Sequence, residues 1–167
     1  MKKKVLFFSV ILVFIDQLIK ILIDNFMNLY DRLILIPNFL DITYLRNDGA
    51  AFSILSGNRY LFIIVSIITL IFFIRFMFKD NNITKLDTIS YSLILSGIVG
   101  NLIDRIFRKE VIDYIHFTIF DKSMAVFNFA DMCIVFGIMI LFYIMFFKGD
   151  LNENYNSRKW LLWYKNR

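Results

Sequence analysis

Apolar residues fall in four long runs, at about 5–23, 60–78, 86–107 and 127–147, parted by stretches in which polar residues dominate. A bilayer core is crossed by about 20 mainly apolar residues, so each run predicts a transmembrane helix. The first and third runs are interrupted by Asp16, Gln17 and Lys20, and by Asn101, Asp104 and Arg105. An ionisable side chain near the bilayer centre costs about 2.5–3.5 kcal/mol, so Asp16, Gln17 and Lys20 must face protein or water. The segment 24–59 is too long for a turn and has a different pattern. Leu33–Ile36, Pro37 and then Phe39–Leu45 read as short strands broken by a turn, and Asn47-Asp48-Gly49 supplies a tight turn. The expected architecture is a single membrane domain over 1–167. It is an all-α polytopic protein with four transmembrane helices, a small sheet on the outer face and a basic tail at 148–167.

Composition narrows the class further. Hydrophobic residues make up 59% of the 167-residue chain and mean hydropathy is +0.64, against roughly 45–50% apolar residues in soluble domains. Disorder and collagen-like structure are excluded. Cys133 is the only cysteine, which leaves no internal disulfide and no paired-cysteine zinc or redox spacing. The net charge of +5 is spread around the apolar runs, which speaks against a nucleic-acid partner and for membrane topology. Eleven Lys and Arg flank the runs on the side of both termini and seven on the other. The positive-inside bias thus places both termini of the multi-pass chain in the cytoplasm. Lys2, Lys3 and Lys4 open the first run as in a secretory signal, but no small-x-small site follows, so the helix is expected to be retained. Trp160, Trp163 and Tyr164 resemble an interfacial belt that lays the tail on the inner leaflet.

The candidate chemistry lies in Asp16, Asn47, Asn101, Asp104, Arg105, Asp113, Asn128 and Asp131. At 1.5 Å per residue, Asn101 and Asp104 fall roughly 22 and 27 Å along the third helix, and Asp131 roughly 6 Å below the outer end of the fourth. Asp113 falls in the connection between them. Asp104, Asp113 and Asp131 are therefore expected just under the outer surface, with Asp16 nearer the middle. Two carboxylates brought together in an apolar setting share a proton, the requirement of aspartic proteolysis. The same groups could instead only satisfy one another between helices, or relay protons in a small proton-coupled carrier. Arg105 is expected to neutralise Asp104 or, because adjacent residues cannot share a helix face, to reach a neighbouring helix or a lipid phosphate. His116, the sole histidine, has no Gly-x-Ser-x-Gly elbow to serve and reads as an interfacial loop residue. Ser96, Gly97 and Gly100 form a small-residue face for close helix packing.

These residues occur in motifs that resemble the lipoprotein signal peptidases, the type II signal peptidases of bacteria. The motifs are Asp16-Gln-Leu-Ile-Lys20, Asn47-Asp-Gly-Ala-Ala-Phe52, Gly100-Asn-Leu-Ile-Asp-Arg105, Val111-Ile-Asp-Tyr114 and Phe127-Asn-Phe-Ala-Asp131, in family order. The resemblance implies an aspartic endopeptidase with Asp113 and Asp131 as its dyad. Asp16, Asn47, Asn101, Asp104, Arg105 and Asn128 would be structural or substrate-positioning. It further implies an outer β-cradle, an outer helix or loop closing over substrate, and no metal or organic cofactor. The expected substrates are lipid-modified prolipoproteins in contact with membrane lipids, cut before the diacylglyceryl-modified cysteine.

Overall fold

A computed structural model describes residues 1–49, 57–120 and 122–147. Four helices, α1 (Lys2–Phe26), α2 (Arg59–Lys79), α3 (Lys85–Phe107) and α4 (Phe129–Phe146), each have the length and apolarity to cross a membrane. They match the four expected spans to within a few residues. The motif residues Ala50, Ala51 and Phe52, and the tail with its Trp160, Trp163 and Tyr164, lie outside the described residues.

The third helix is the centre of the bundle. It packs against all three others, and 72% of its apolar stretch is buried, against 11–22% for its neighbours. It is also the least apolar of the four, because its neighbours are protein and not lipid. Ser90 Oγ donates to the Gly137 carbonyl at 2.8 Å, and Ser92 Oγ donates to the Val5 carbonyl at 3.2 Å. Small residues let the backbones come this close: a Cβ on Gly97 would stand 2.3 Å from the Ala130 carbonyl oxygen. The expected small-residue face is thus the α3–α4 contact. Lipid-facing positions carry bare apolar side chains such as Phe14, Ile68 and Met139.

The sheet is larger than the sequence pattern predicts. Strands β1 (Arg32–Ile36) and β2 (Leu40–Asn47) form the expected hairpin, but β3 (Val111–Ile119) and β4 (Lys122–Phe127) form a second one in the connection between α3 and α4. All pairings are antiparallel in the order β1-β2-β3-β4. Asp113 therefore stands on a strand, opposite Leu45, and not in a loop. The strand β3 reads as an apolar run rather than an alternation because both its faces are covered at its start, where Val111, Ile112, Asp113 and Tyr114 are all buried. Ile112, Tyr114 and Tyr44 pack together against Ile19, Ile23 and Met27 of the α1 end, seating the sheet on the bundle.

His116 is likewise a buried strand residue and not an interfacial loop residue. Its Nδ1 lies 3.0 Å from Asp41 Oδ1 and its Nε2 lies 2.8 Å from Ser123 Oγ, which ties β2, β3 and β4 together. Burial pushes the Asp41 carboxyl up, but hydrogen bonds from Thr43, Arg32 and His116 outweigh it and hold the group below its ordinary range. Side chains alternate along a strand, so this cluster occupies the face of β3 turned away from Asp113.

Candidate active site

The site is assembled where the sheet meets the ends of α1, α3 and α4. Helix α4 begins with a capping box: Asp131 N donates to Asn128 Oδ1 at 2.9 Å, and Asn128 N donates to Asp131 Oδ2 at 3.1 Å. The reciprocal bonds satisfy two backbone donors that a helix start leaves open. They also fix Asp131 in the first turn, at the mouth of the bundle. The Asn128 amide then donates to Asp113 Oδ1 at 2.7 Å, so one asparagine bridges the two aspartates.

Two further asparagines aim at the same pair. Asn47 Nδ2 donates to Asp113 Oδ2 at 2.9 Å, while its own Oδ1 accepts from the Gly49 backbone at 3.0 Å. Asn101 Nδ2 donates to Asp131 Oδ1 at 2.7 Å, and its Oδ1 accepts from Lys20 Nζ at 3.2 Å. In each of the three, the amide oxygen is committed to a donor. The amide therefore cannot flip, and its N–H must point at a carboxylate. Each oxygen of Asp113 and Asp131 thus accepts a hydrogen bond, three from these amides and the fourth, Asp131 Oδ2, from the Asn128 backbone, so a proton on the pair has only their remaining lone pairs to occupy.

Behind the aspartates lies a buried charged cluster. Lys20, fully buried, reaches Asp16 Oδ2 at 2.9 Å and Asp104 Oδ2 at 2.8 Å as well as Asn101. Gln17 Nε2 donates to Asp16, to the Gly100 carbonyl and to Asp104, and its oxygen accepts from Arg108 at 2.6 Å. Asp16 Oδ1 accepts from Ala130 N at 3.1 Å. This bond places Asp16 at the first turn of α4, level with Asp131 and not nearer the middle. Gly100 is required here: a Cβ would lie 2.6 Å from Asp16 Oδ2.

The expected Asp104–Arg105 pair does not form. Asp104 is neutralised by Lys20 and by Arg108, one turn on, at 2.5 Å. Successive helix residues point about 100° apart, so Arg105 faces elsewhere, with its guanidinium 5.5 Å from the centre of the Phe62 ring. It lines a cavity of about 210 Å³ together with Asn47, Asn101, Asp113 and Asp131. Thus all eight expected residues gather at this end. Asp16 and Asp104 stand behind the cavity, in contact with Lys20, while Asn128 bridges from beneath. Lys20, Gln17 and Arg108 were not among the expected site residues. The signal for Lys20 was its place one helical turn after Asp16 inside an apolar run.

Burial first, and the Asp131 charge second, raise the Asp113 carboxyl from 3.8 to about 7. Burial likewise pushes the Tyr114 phenol up. Tyr114 accepts from the Phe129 backbone at 3.2 Å, which joins β3 to the start of α4. Among the described residues, no group of three or more His, Cys, Asp or Glu side chains is placed to hold a metal ion.

Fold and site together define a polytopic membrane protein with paired carboxylates in one cavity at the end of its bundle, the arrangement of an aspartic membrane protease. Residues 8–147 match the sequence model of signal peptidase (SPase) II. Lipoprotein signal peptidases of Staphylococcus aureus strains JH9 and Newman are each 39% identical over 133 residues, covering 80% of this chain and 82% of theirs. Two solved structures of bacterial membrane enzymes superpose with TM-scores of 0.79 and 0.77, both at 36% identity. They cover 89% and 86% of this chain, and 90% and 92% of their own. The chain belongs to the signal peptidase II family. It is accordingly a membrane protease, and the proton-coupled carrier reading has no support.

Proposed function

We propose that Asp113 and Asp131 are the catalytic pair and that they hydrolyse the peptide bond preceding a diacylglyceryl-modified cysteine, freeing the signal peptide of a bacterial prolipoprotein. The observation that carries this reading is the bridging of both carboxylates by Asn128 within one cavity. One aspartate, ionised, takes a proton from water as the water attacks the peptide carbonyl. The other, protonated, gives its proton to the carbonyl oxygen; as the resulting gem-diol collapses, the first passes the water-derived proton to the leaving amine and the second recovers its proton from a gem-diol hydroxyl. A folded-state value near 7 for Asp113 suits a proton shared at neutral pH. The pinned amides leave the unshared lone pairs of the carboxylates as the places where that proton moves. Arg105 offers a positive charge at the cavity wall without discharging Asp104.

The same placement supports the substrate class and the topology. The cavity sits at the end of the bundle opposite the N-terminus, and the excess of Lys and Arg on the terminal side supports cytoplasmic termini. The lipid chains of a modified cysteine would then lie in the outer leaflet and hold the scissile bond at the level of the aspartates. Incubating the purified chain with a lipobox peptide, with and without the diacylglyceryl group, tests substrate and reaction together. Cleavage of the modified peptide alone is expected, undiminished by EDTA. Asp113→Asn and Asp131→Asn should each bind it without cutting. Cleavage of neither peptide, or turnover surviving in either variant, would overturn the assignment.

A further inference from the structure

At the opposite end of the bundle a second, larger cavity opens between α1 and α3. It has a volume of about 440 Å³, within the range at which a protein encloses a small molecule. Its apolar wall is built from Phe8, Ile11 and Leu12 on one helix and Ile89 and Leu93 on the other, and its mouth carries Lys4 and Lys85. Lys4 and Leu12, like Lys85 and Leu93, lie eight steps apart, or about 12 Å of helix. The groove therefore runs from a charged rim inward along the bilayer normal, with exposed Phe8, Ile11 and Ile89 open to the lipid.

The charge at the rim is of one sign. Met1 also lines the groove, which brings the terminal amine to it. Lys4 and Lys85 have no carboxylate within salt-bridge distance among the described residues. Asp87, in the adjacent turn of α3, is turned inward, where its carboxylate accepts from the Thr84 backbone at 2.9 Å. Both helices also present their N-termini here, the positive ends of their dipoles. Lys2 does not belong to this rim, since its Nζ donates to the Phe78 carbonyl at 2.7 Å on the α2 side.

We propose that this groove is a binding site for one anionic phospholipid of the leaflet that holds the N-terminus. The phosphate would lie between Lys4 and Lys85, with an acyl chain along Phe8, Ile11, Leu12, Ile89 and Leu93. A zwitterionic lipid gains less because its own cation faces the same lysines, and the tail at 148–167 carries the same sign as the rim, with five Lys and Arg against two acids. A basic residue at a membrane surface is worth about fivefold in affinity for an anionic lipid. Loss of both lysines is therefore expected to weaken binding by about 25-fold.

The test is competition for the delipidated full chain between phosphatidylglycerol and phosphatidylcholine of identical chains, read by native mass spectrometry. Wild type is expected to retain one phosphatidylglycerol preferentially, Lys4→Gln with Lys85→Gln to lose the preference, and Lys4→Arg with Lys85→Arg to keep it. Leu12→Trp, which fills the groove and leaves the lysines, should abolish retention. Basal peptidase activity of the Gln pair in phosphatidylcholine should be unchanged, showing that the chain is folded. Equal retention of both lipids by wild type would overturn the proposal. So would an undiminished preference in the Gln pair, or displacement of the lipid by inorganic phosphate alone.

Discussion

Replacing Asp113 by Asn should make the protein less dependent on pH for its stability as well as inactive. The Asp113 carboxyl lies at about 7 in the folded chain against 3.8 ordinarily. A carboxyl whose folded value is raised holds more protons folded than unfolded. The stability it contributes is fully present below 3.8 and is lost as pH rises through 7. At about 1.4 kcal/mol per pH unit, wild type has given up about 2 kcal/mol at pH ~5 and about 4 kcal/mol at pH ~8. The Asn variant escapes this loss but pays a fixed cost. Its own amide N–H must face either Asn47 or Asn128, whose N–H groups are pinned toward it, and a buried donor left unsatisfied costs about 1–3 kcal/mol. The two variants should therefore be nearly equal in stability at pH ~5, with Asn ahead by about 2 kcal/mol at pH ~8. Chemical unfolding in mixed micelles across this range measures the difference. A gap that does not change with pH would refute the reasoning, because the lost hydrogen bond is independent of pH and only the buried charge is not.

Other substitutions separate the remaining parts of the site. Lys20→Met should cost about 3–5 kcal/mol, seen as lost folded yield, because Asp16 and Asp104 would be left buried without their shared cation. Gly100→Ala should destabilise by about 1–3 kcal/mol in the same unfolding assay, since its methyl would press on Asp16 and Ala130. Arg105→Ala should raise KM for the lipopeptide by about 10- to 100-fold, the worth of a charged hydrogen bond. A loss confined to kcat would show that Arg105 acts in the chemical step and not in binding.

Hydrophobic patterning alone determined the four membrane helices, because apolar length against bilayer thickness is a one-dimensional property of the chain. The first hairpin was legible for a similar reason, with Pro37 and the Asn47-Asp48-Gly49 turn punctuating it. The motifs contain the residues that the structure gathers at one end of the bundle. What only the tertiary structure decided is which of them touch. The second hairpin escaped notice because the start of β3 is covered on both faces and shows no alternation. For that reason Asp113 read as a loop residue and His116 as an interfacial one. Asp104 and Arg105 are neighbours in sequence, and the helical twist that sends them apart was legible there, but that Lys20 from another helix and Arg108 from the next turn neutralise Asp104, and that Arg105 meets Phe62, was not. The fixed orientation of Asn47, Asn101 and Asn128 depends on donors from the Gly49 backbone, Lys20 and the α4 cap. Partners brought together from separate elements leave no periodic trace in the chain, so the site's residues could be read from the sequence while its hydrogen bonding could not.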